Sequence, residues 1–201
     1  MGRPPTFDRE DKIEEAMDLF WTQGYEATSV QDLVDHLDLN RSSLYNAFGG
    51  KHDLYLATLD HYRQQGKEAL RRHLREAPTP LDGIRRAFEA VAEQAAERQC
   101  GCFVANAAVE CAPRDPETQE RASETFETMR ALFRAAVEQA QDEGTIDGDR
   151  DPAALGRYLT NAFYGIHLTA KTDPPADVVH DIVDETLRGL TGPVAHSDAA
   201  T

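Results

Sequence analysis

Apolar residues recur with helical spacing along nearly the whole chain. Ile13, Ala16, Met17, Phe20 and Trp21 stand at i, i+3, i+4, i+7 and i+8, one stripe of an amphipathic helix. Gly24 ends that helix, because glycine tolerates the positive φ that closes a last turn, and Tyr25 just beyond is placed to fold back on it. A second helix opens at once. Thr28-Ser29-Val30-Gln31 has the form of a capping box, with the Thr28 hydroxyl and the Gln31 amide satisfying free N–H groups, and Val30, Leu33, Val34 and Leu37 make the buried stripe. Asp38-Leu39-Asn40 is a short polar break, and Asn40 is a good N-cap for a third helix, Arg41 to Phe48, stopped by Gly49-Gly50. That helix has little to bury beyond Leu44 and Phe48, so Arg41, Ser42, Ser43, Tyr45 and Asn46 are left facing outward. Two short helices joined by a tight turn and braced by a longer first helix make a helix-turn-helix.

Beyond Lys51 the pattern stays helical, with breaks marked by proline and glycine. Leu54, Leu56, Leu59, Tyr62, Leu70 and Leu74 belong to one long helix that ends before Pro78-Thr79-Pro80. Ile84, Ala87, Phe88, Val91, Ala92 and Ala95 give the next stripe, followed by Gly101 and the apolar run Cys102-Phe103-Val104-Ala105. A long helix around Phe126, Met129, Phe133, Ala136, Val137 and Ala140 closes at Gly144, and Asp151-Pro152 starts another. The last two helices carry broad apolar faces: Leu155, Tyr158, Leu159, Ala162, Phe163 and Ile166 on one, Val179, Ile182, Val183, Thr186, Leu187 and Leu190 on the other. No β-alternation and no internal repeat is visible, so the fold class is all-α. The expected organisation is a helix-turn-helix domain over 1–52, a helical domain over 53–190 and a flexible tail over 191–201.

Composition narrows the classes. At 201 residues, 40% apolar and 28% charged, the chain is globular and can bury a core unaided, and no apolar run reaches the roughly 18 residues of a membrane span. The polar start, MGRPPTFDREDK, has no apolar signal core, so a cytoplasmic protein is expected. The charge complicates the helix-turn-helix. There are 36 acids against 21 bases, for a net −15, and residues 1–55 alone are net acidic. Such a balance repels nucleic acid unless cations are concentrated where they count. Only Lys12, Lys51, Lys67 and Lys171 are lysines, which leaves two readings open: a carboxylate-rich surface adapted to concentrated salt, or an ordinary acidic solvated surface.

The run Gly24-Tyr25-Glu26-Ala27-Thr28-Ser29-Val30, then Leu39-Asn40-Arg41-Ser42-Ser43-Leu44-Tyr45-Asn46-Ala47-Phe48-Gly49-Gly50-Lys51, closely resembles the DNA-binding domain of the TetR family of bacterial transcriptional regulators. The resemblance spans roughly residues 10 to 60. It implies a protein of about nine helices that dimerises through its last two, binds a palindromic operator with one head per half-site about 34 Å apart, and responds, as a repressor does, to a small ligand held in the C-terminal domain. Carried over by position, the family's phosphate and base contacts fall on Thr28, Arg41, Ser42, Ser43, Tyr45, Asn46 and Lys51. Arg41 suits a bidentate contact to guanine and Asn46 suits adenine or a phosphate, with Tyr45 and Lys51 as backbone clamps.

A ligand pocket is expected among the middle helices, with Phe88, Phe103, Asn106, Phe126, Tyr158, Asn161, Tyr164 and His167 as aromatic walls and polar handles. Cys100, Cys102 and Cys111 lack a fourth ligand at a usual spacing, so no metal site is expected. They are either small buried hydrophobes or, following the redox-sensing members of the same family, include one reactive thiol at Cys102, where a helix N-terminus would favour the thiolate. No Gly-rich phosphate loop, G-x-S-x-G elbow or H-E-x-x-H is present, so neither a cofactor nor an enzyme is expected. The expected partners are operator DNA, a small effector and a second copy of the chain, with no membrane. The alternative from another class is a helical ligand-binding or protein-interaction module that does not bind DNA.

Overall fold

The computed structural model describes residues 7–192. Nine α-helices and no strand occur among the described residues: α1 Arg9–Gln23, α2 Val30–His36, α3 Arg41–Phe48, α4 Lys51–Glu76, α5 Pro80–Arg98, α6 Phe103–Glu110, α7 Pro116–Asp142, α8 Pro152–Ala170 and α9 Ala176–Thr191. Most of the expected tail, 193–201, lies outside the described residues. No helix among the described residues is long and apolar enough to cross a membrane.

Helix boundaries follow the local chemistry. Asp8 caps α1 by accepting from Glu10 N at 2.8 Å, and Gly24, at φ +87°, closes it with its N–H on the Phe20 carbonyl. At α2 the cap falls one residue later than the sequence pattern indicates. Ser29, not Thr28, is the N-cap: its hydroxyl accepts from Asp32 N, while the Asp32 carboxylate accepts from Ser29 N at 2.7 Å. Asp32 thus takes the part assigned to Gln31, whose amide instead donates to Asp35. The Ser29 bonds hold the Asp32 carboxyl below its ordinary pKa. Asp151 caps α8, with Pro152 in its first turn.

The chain forms two compact units. One comprises the residues up to Glu68 together with Cys100–Thr125; the other comprises Ala69–Gln99 and the chain from Phe126 onward. In the first, Leu33, Leu37, Leu44 and Leu54 are fully buried among Ile13, Ala16, Met17 and Phe20 of the α1 stripe and Phe48 of α3. α6 belongs here too. Trp21 Nε1 donates to the Gly101 carbonyl at 3.0 Å, and Phe103 packs against Trp21, Tyr55 and Tyr62 with ring centroids 5.8–6.1 Å apart. In the second unit, α5, α8 and α9 pack on one another around Ile84, Phe88, Phe133, Val137, Leu159, Ile166 and Leu190.

Candidate nucleic-acid interface

The interface is built on α3. Asn40 Oδ1 accepts from Ser43 N at 2.8 Å to start the helix, and Gly49, at φ +88°, ends it by donating to the Tyr45 carbonyl at 2.9 Å. Leu44 and Phe48 are the buried side of this helix, and their burial turns Arg41, Ser42, Tyr45 and Asn46 to solvent, with Ser43 half-buried. Tyr45 is 47% exposed, unusual for a ring that size. Asn46 Nδ2 reaches Ser42 Oγ at 3.4 Å, so the two polar groups are presented side by side. This row is what major-groove reading needs: a guanidinium, hydroxyls and an amide on one exposed side of a helix whose other side is locked into a core.

Lys51 follows at the start of α4, its ammonium 4.2 Å from the Tyr25 ring centroid, which restrains the side chain while leaving its charge available. Arg9 was not singled out by the sequence pattern. Its Nε donates to the Ala47 carbonyl at 3.4 Å and its guanidinium lies 5.3 Å from the Phe48 ring centroid, so a second guanidinium sits beside the end of α3. Only the long-range contact between α1 and α3 brings it there, and nothing in its local sequence marks it.

Thr28 needs correction. It is fully buried and its hydroxyl donates to the Gly24 carbonyl at 2.6 Å, so the hydroxyl is spent inside the α1–α2 turn and is not offered to a phosphate. The exposed hydroxyl at this helix start belongs to Ser29.

The eight residues expected to line a ligand pocket are divided between the two units. Phe103 and Asn106 belong to the first unit, where the Asn106 amide donates to the Cys100 carbonyl at 2.9 Å. In the second unit, Phe88 and His167 are buried, and with Phe133, Phe163, Tyr164 and Phe126 they form a continuous set of tilted and edge-to-face ring contacts at 4.8–6.4 Å. Burial alone depresses the His167 imidazole to about 4, so it is neutral near pH 7. Tyr158 and Asn161 are exposed, because the inward side of α8 is taken by Leu155, Leu159, Ile166 and Ala170. Open space in this unit lies elsewhere: a cavity of about 420 Å³ has Ala92, Ala170, Val179 and Val183 among its lining, with Glu89, Glu93, Asp173 and Asp184.

Cys102 is the N-cap residue of α6, yet it is buried. Burial pushes its thiol up, outweighing the Ala105 and Val104 amides and the Tyr62 hydroxyl 3.6 Å away, the reverse of the direction a helix start by itself would give. Among the described residues one group has donor atoms close enough to share a metal ion: His52, Asp115 and Glu117, within 4.8 Å of one another. Asp115 already accepts from His52 Nε2 at 2.9 Å, from Thr118 Oγ1 at 2.6 Å and from the Glu117 amide. Burial opposes its ionisation, but these bonds prevail and hold the carboxyl below its ordinary pKa. The group thus already works as a tie between α4 and the start of α7.

Comparison with known proteins agrees with this architecture. The model for bacterial regulatory proteins of the tetR family matches residues 13–58, and the tetracyclin repressor-like C-terminal domain matches 80–184. The chain is 35% identical to YezE of Bacillus subtilis, an uncharacterized HTH-type transcriptional regulator, over 94% of this chain and all of that one. It is 29% identical to the transcriptional repressor ComR of Escherichia coli, over 93% of this chain and 90% of ComR. Among solved structures, a cysteine mutant of the TetR family regulator CifR, complexed with a 26-bp double-strand operator DNA, superposes with a TM-score of 0.84 at 28% identity, over 94% of this chain and 100% of that one. The chain belongs to the TetR family of bacterial regulatory proteins.

Proposed function

We propose that this protein is a DNA-binding transcriptional repressor of the cytoplasm that binds a palindromic operator as a homodimer. The observation that carries the reading is the exposed row Arg41, Ser42, Tyr45 and Asn46 on α3, held from behind by Leu44 and Phe48. Residues 1–52 act as the DNA-reading head and 53–190 as the sensing and dimerising part. This division of labour is not a division in packing, since α6 is built into the head's unit. The dimer reading is supported by Tyr158, Leu168 and Val178, large apolar side chains that α8 and α9 leave exposed at 44%, 70% and 37%.

Effector binding is assigned to the second unit. Its rings pack on one another with Phe88, Phe133 and His167 buried, so the cavity flanked by α5 and α9 is the better place. The lining mixes apolar Ala92, Ala170, Val179 and Val183 with four carboxylates; Glu89 and Asp184 are each paired with Arg85, and the remaining two, Glu93 and Asp173, favour an amphipathic effector that carries a basic group. Cys102 is a second route to release: an electrophile that reaches it must first open the packing of α6, so reaction should be slow.

Fluorescence anisotropy with duplexes from the DNA upstream of the coding sequence tests the reading. Binding by a dimer, with a footprint of two half-sites about 34 Å apart, is the expected result. A dimer that binds none of that DNA more tightly than a random duplex would support the alternative, a helical ligand-binding or protein-interaction module. A hydrophobic amine that releases the complex, where the matching carboxylate does not, would support the effector class. Loss of electrophile-driven release in Cys102→Ser would place that response on the thiol.

A further inference from the structure

The turn between α1 and α2 is held by a residue from α6, far away in sequence. Glu110, the last residue of α6, accepts from Tyr25 N at 3.2 Å through Oε2 and from Glu26 N at 2.9 Å through Oε1. Gly24 makes room for it: a Cβ there would come within 3.1 Å of Glu110 Oε1 and 3.2 Å of Oε2. The carboxylate therefore caps two main-chain donors of a turn whose own geometry leaves them pointing outward.

This turn governs two parts of the candidate interface. On its C-terminal side it leads through buried Thr28, bonded to the Gly24 carbonyl, directly into Ser29 and the start of α2. Through the Tyr25 ring it touches α4: the ring centroid lies 4.6 Å from that of Tyr55 and 6.3 Å from that of His52, and the Lys51 ammonium rests over it at 4.2 Å. Displacing the backbone at Tyr25 would shift both the α2 start and the Lys51 cation. Glu110 itself lies within 80–184, the stretch matched by the C-terminal family model, although it packs in the head's unit.

We propose that Glu110 is a positioning residue for operator binding: its carboxylate clamp on Tyr25 N and Glu26 N sets how α2 and Lys51 are presented. The inference rests on the proposed function, because its readout is operator affinity. It needs no contact between Glu110 and DNA, where a carboxylate would repel phosphate.

Glu110→Gln keeps the shape but loses the charge and one of the two acceptor oxygens; Glu110→Ala loses the clamp entirely. Three measurements on the full-length protein test it: operator affinity, thermal midpoint, and hydrogen exchange at the Tyr25 and Glu26 amides. The expected result is an affinity about tenfold weaker in Glu110→Ala and about threefold weaker in Glu110→Gln, with faster exchange at those two amides and a thermal midpoint for Glu110→Gln within a degree or two of wild type. If Glu110→Ala does not fold, the Glu110→Gln values decide. Wild-type affinity in Glu110→Gln despite faster exchange would overturn the positioning role, and unchanged exchange would overturn the clamp itself. Failure of wild type to bind any upstream duplex would instead remove the function on which the inference stands, and the inference with it.

Discussion

Arg41 is the only charged residue of α3, exposed in its first turn where base edges are approached in a helix-turn-helix. Arg41→Ala is expected to cost about 1–3 kcal/mol of operator binding and to relax preference at one base pair, measured by anisotropy against a panel of single-base operator variants. Equal loss on all variants would mean a phosphate contact instead. His167 offers a test that needs no DNA. The folded protein holds it neutral by burial, with a pKa of about 4, whereas the unfolded chain protonates near 6.5. Between those values the unfolded state binds more protons, so this residue's contribution is complete above pH 6.5, declines as pH falls, and is gone below about 4. The difference between 6.5 and about 4 corresponds to roughly 3 kcal/mol. Urea unfolding of wild type and His167→Gln from pH 7 to 4 should show the wild type losing stability faster by about that amount. At this scale the sequence was readable where a residue's neighbours along the chain decide its role, as for Asn40, Leu44 and Gly49. It was not readable at Thr28 and Ser29, two adjacent hydroxyls that both suit a cap. The burial of Thr28, with its hydroxyl on the Gly24 carbonyl, leaves Ser29 as the one that caps.

Among elements, α8 shows how far periodicity carries. Its length, its Asp151 cap and its apolar breadth are all local, but the face turned inward depends on the helices beside it. Gly156 marks one of those contacts: a Cβ there would meet the Arg130 carbonyl oxygen at 3.0 Å and Arg134 Cβ and N at 3.1 Å on α7. Gly156→Ala requires α8 and α7 to part by a few tenths of an ångström, and since the obstruction is mostly main chain, a loss of about 1–3 kcal/mol is expected, despite alanine's better helix propensity. Thermal unfolding checks this; a rise in midpoint would mean the two helices give way freely. The same dependence on neighbours explains the misplaced pocket. Spacing puts Tyr158 on the apolar face of α8 with Asn161 beside it, yet Leu155, Leu159 and Ile166 fill the interior and leave both exposed. Phe103 and Asn106 follow α5 in the chain, but α6 packs beneath Trp21 and Tyr62. Spacing can say that a helix is amphipathic; it cannot name the surface that will cover it.

For the whole molecule the dominant quantity is the net charge of −15. At that charge, long-range attraction to DNA is expected to be weak, and affinity is expected to come chiefly from short-range contacts at α3, Lys51 and Arg9. The slope of log K against log salt is expected to be shallow, with a magnitude below about 6; a steeper slope in anisotropy titrations would mean that phosphate contacts dominate after all. What the linear order of residues decided by itself is everything governed by contacts within a few positions: most of the helical segments and their ends, the all-α class, and the short outward-facing α3. Those follow from propensity, capping and 3.6-residue periodicity, which act over one or two turns. Tertiary structure alone decided the rest. It buried Thr28 and Cys102, brought Arg9 to the end of α3, packed Phe103 into the first unit, and laid Glu110 against the Tyr25 and Glu26 amides. Each depends on which distant segment fills a given space, and close packing between segments remote in the chain settles that.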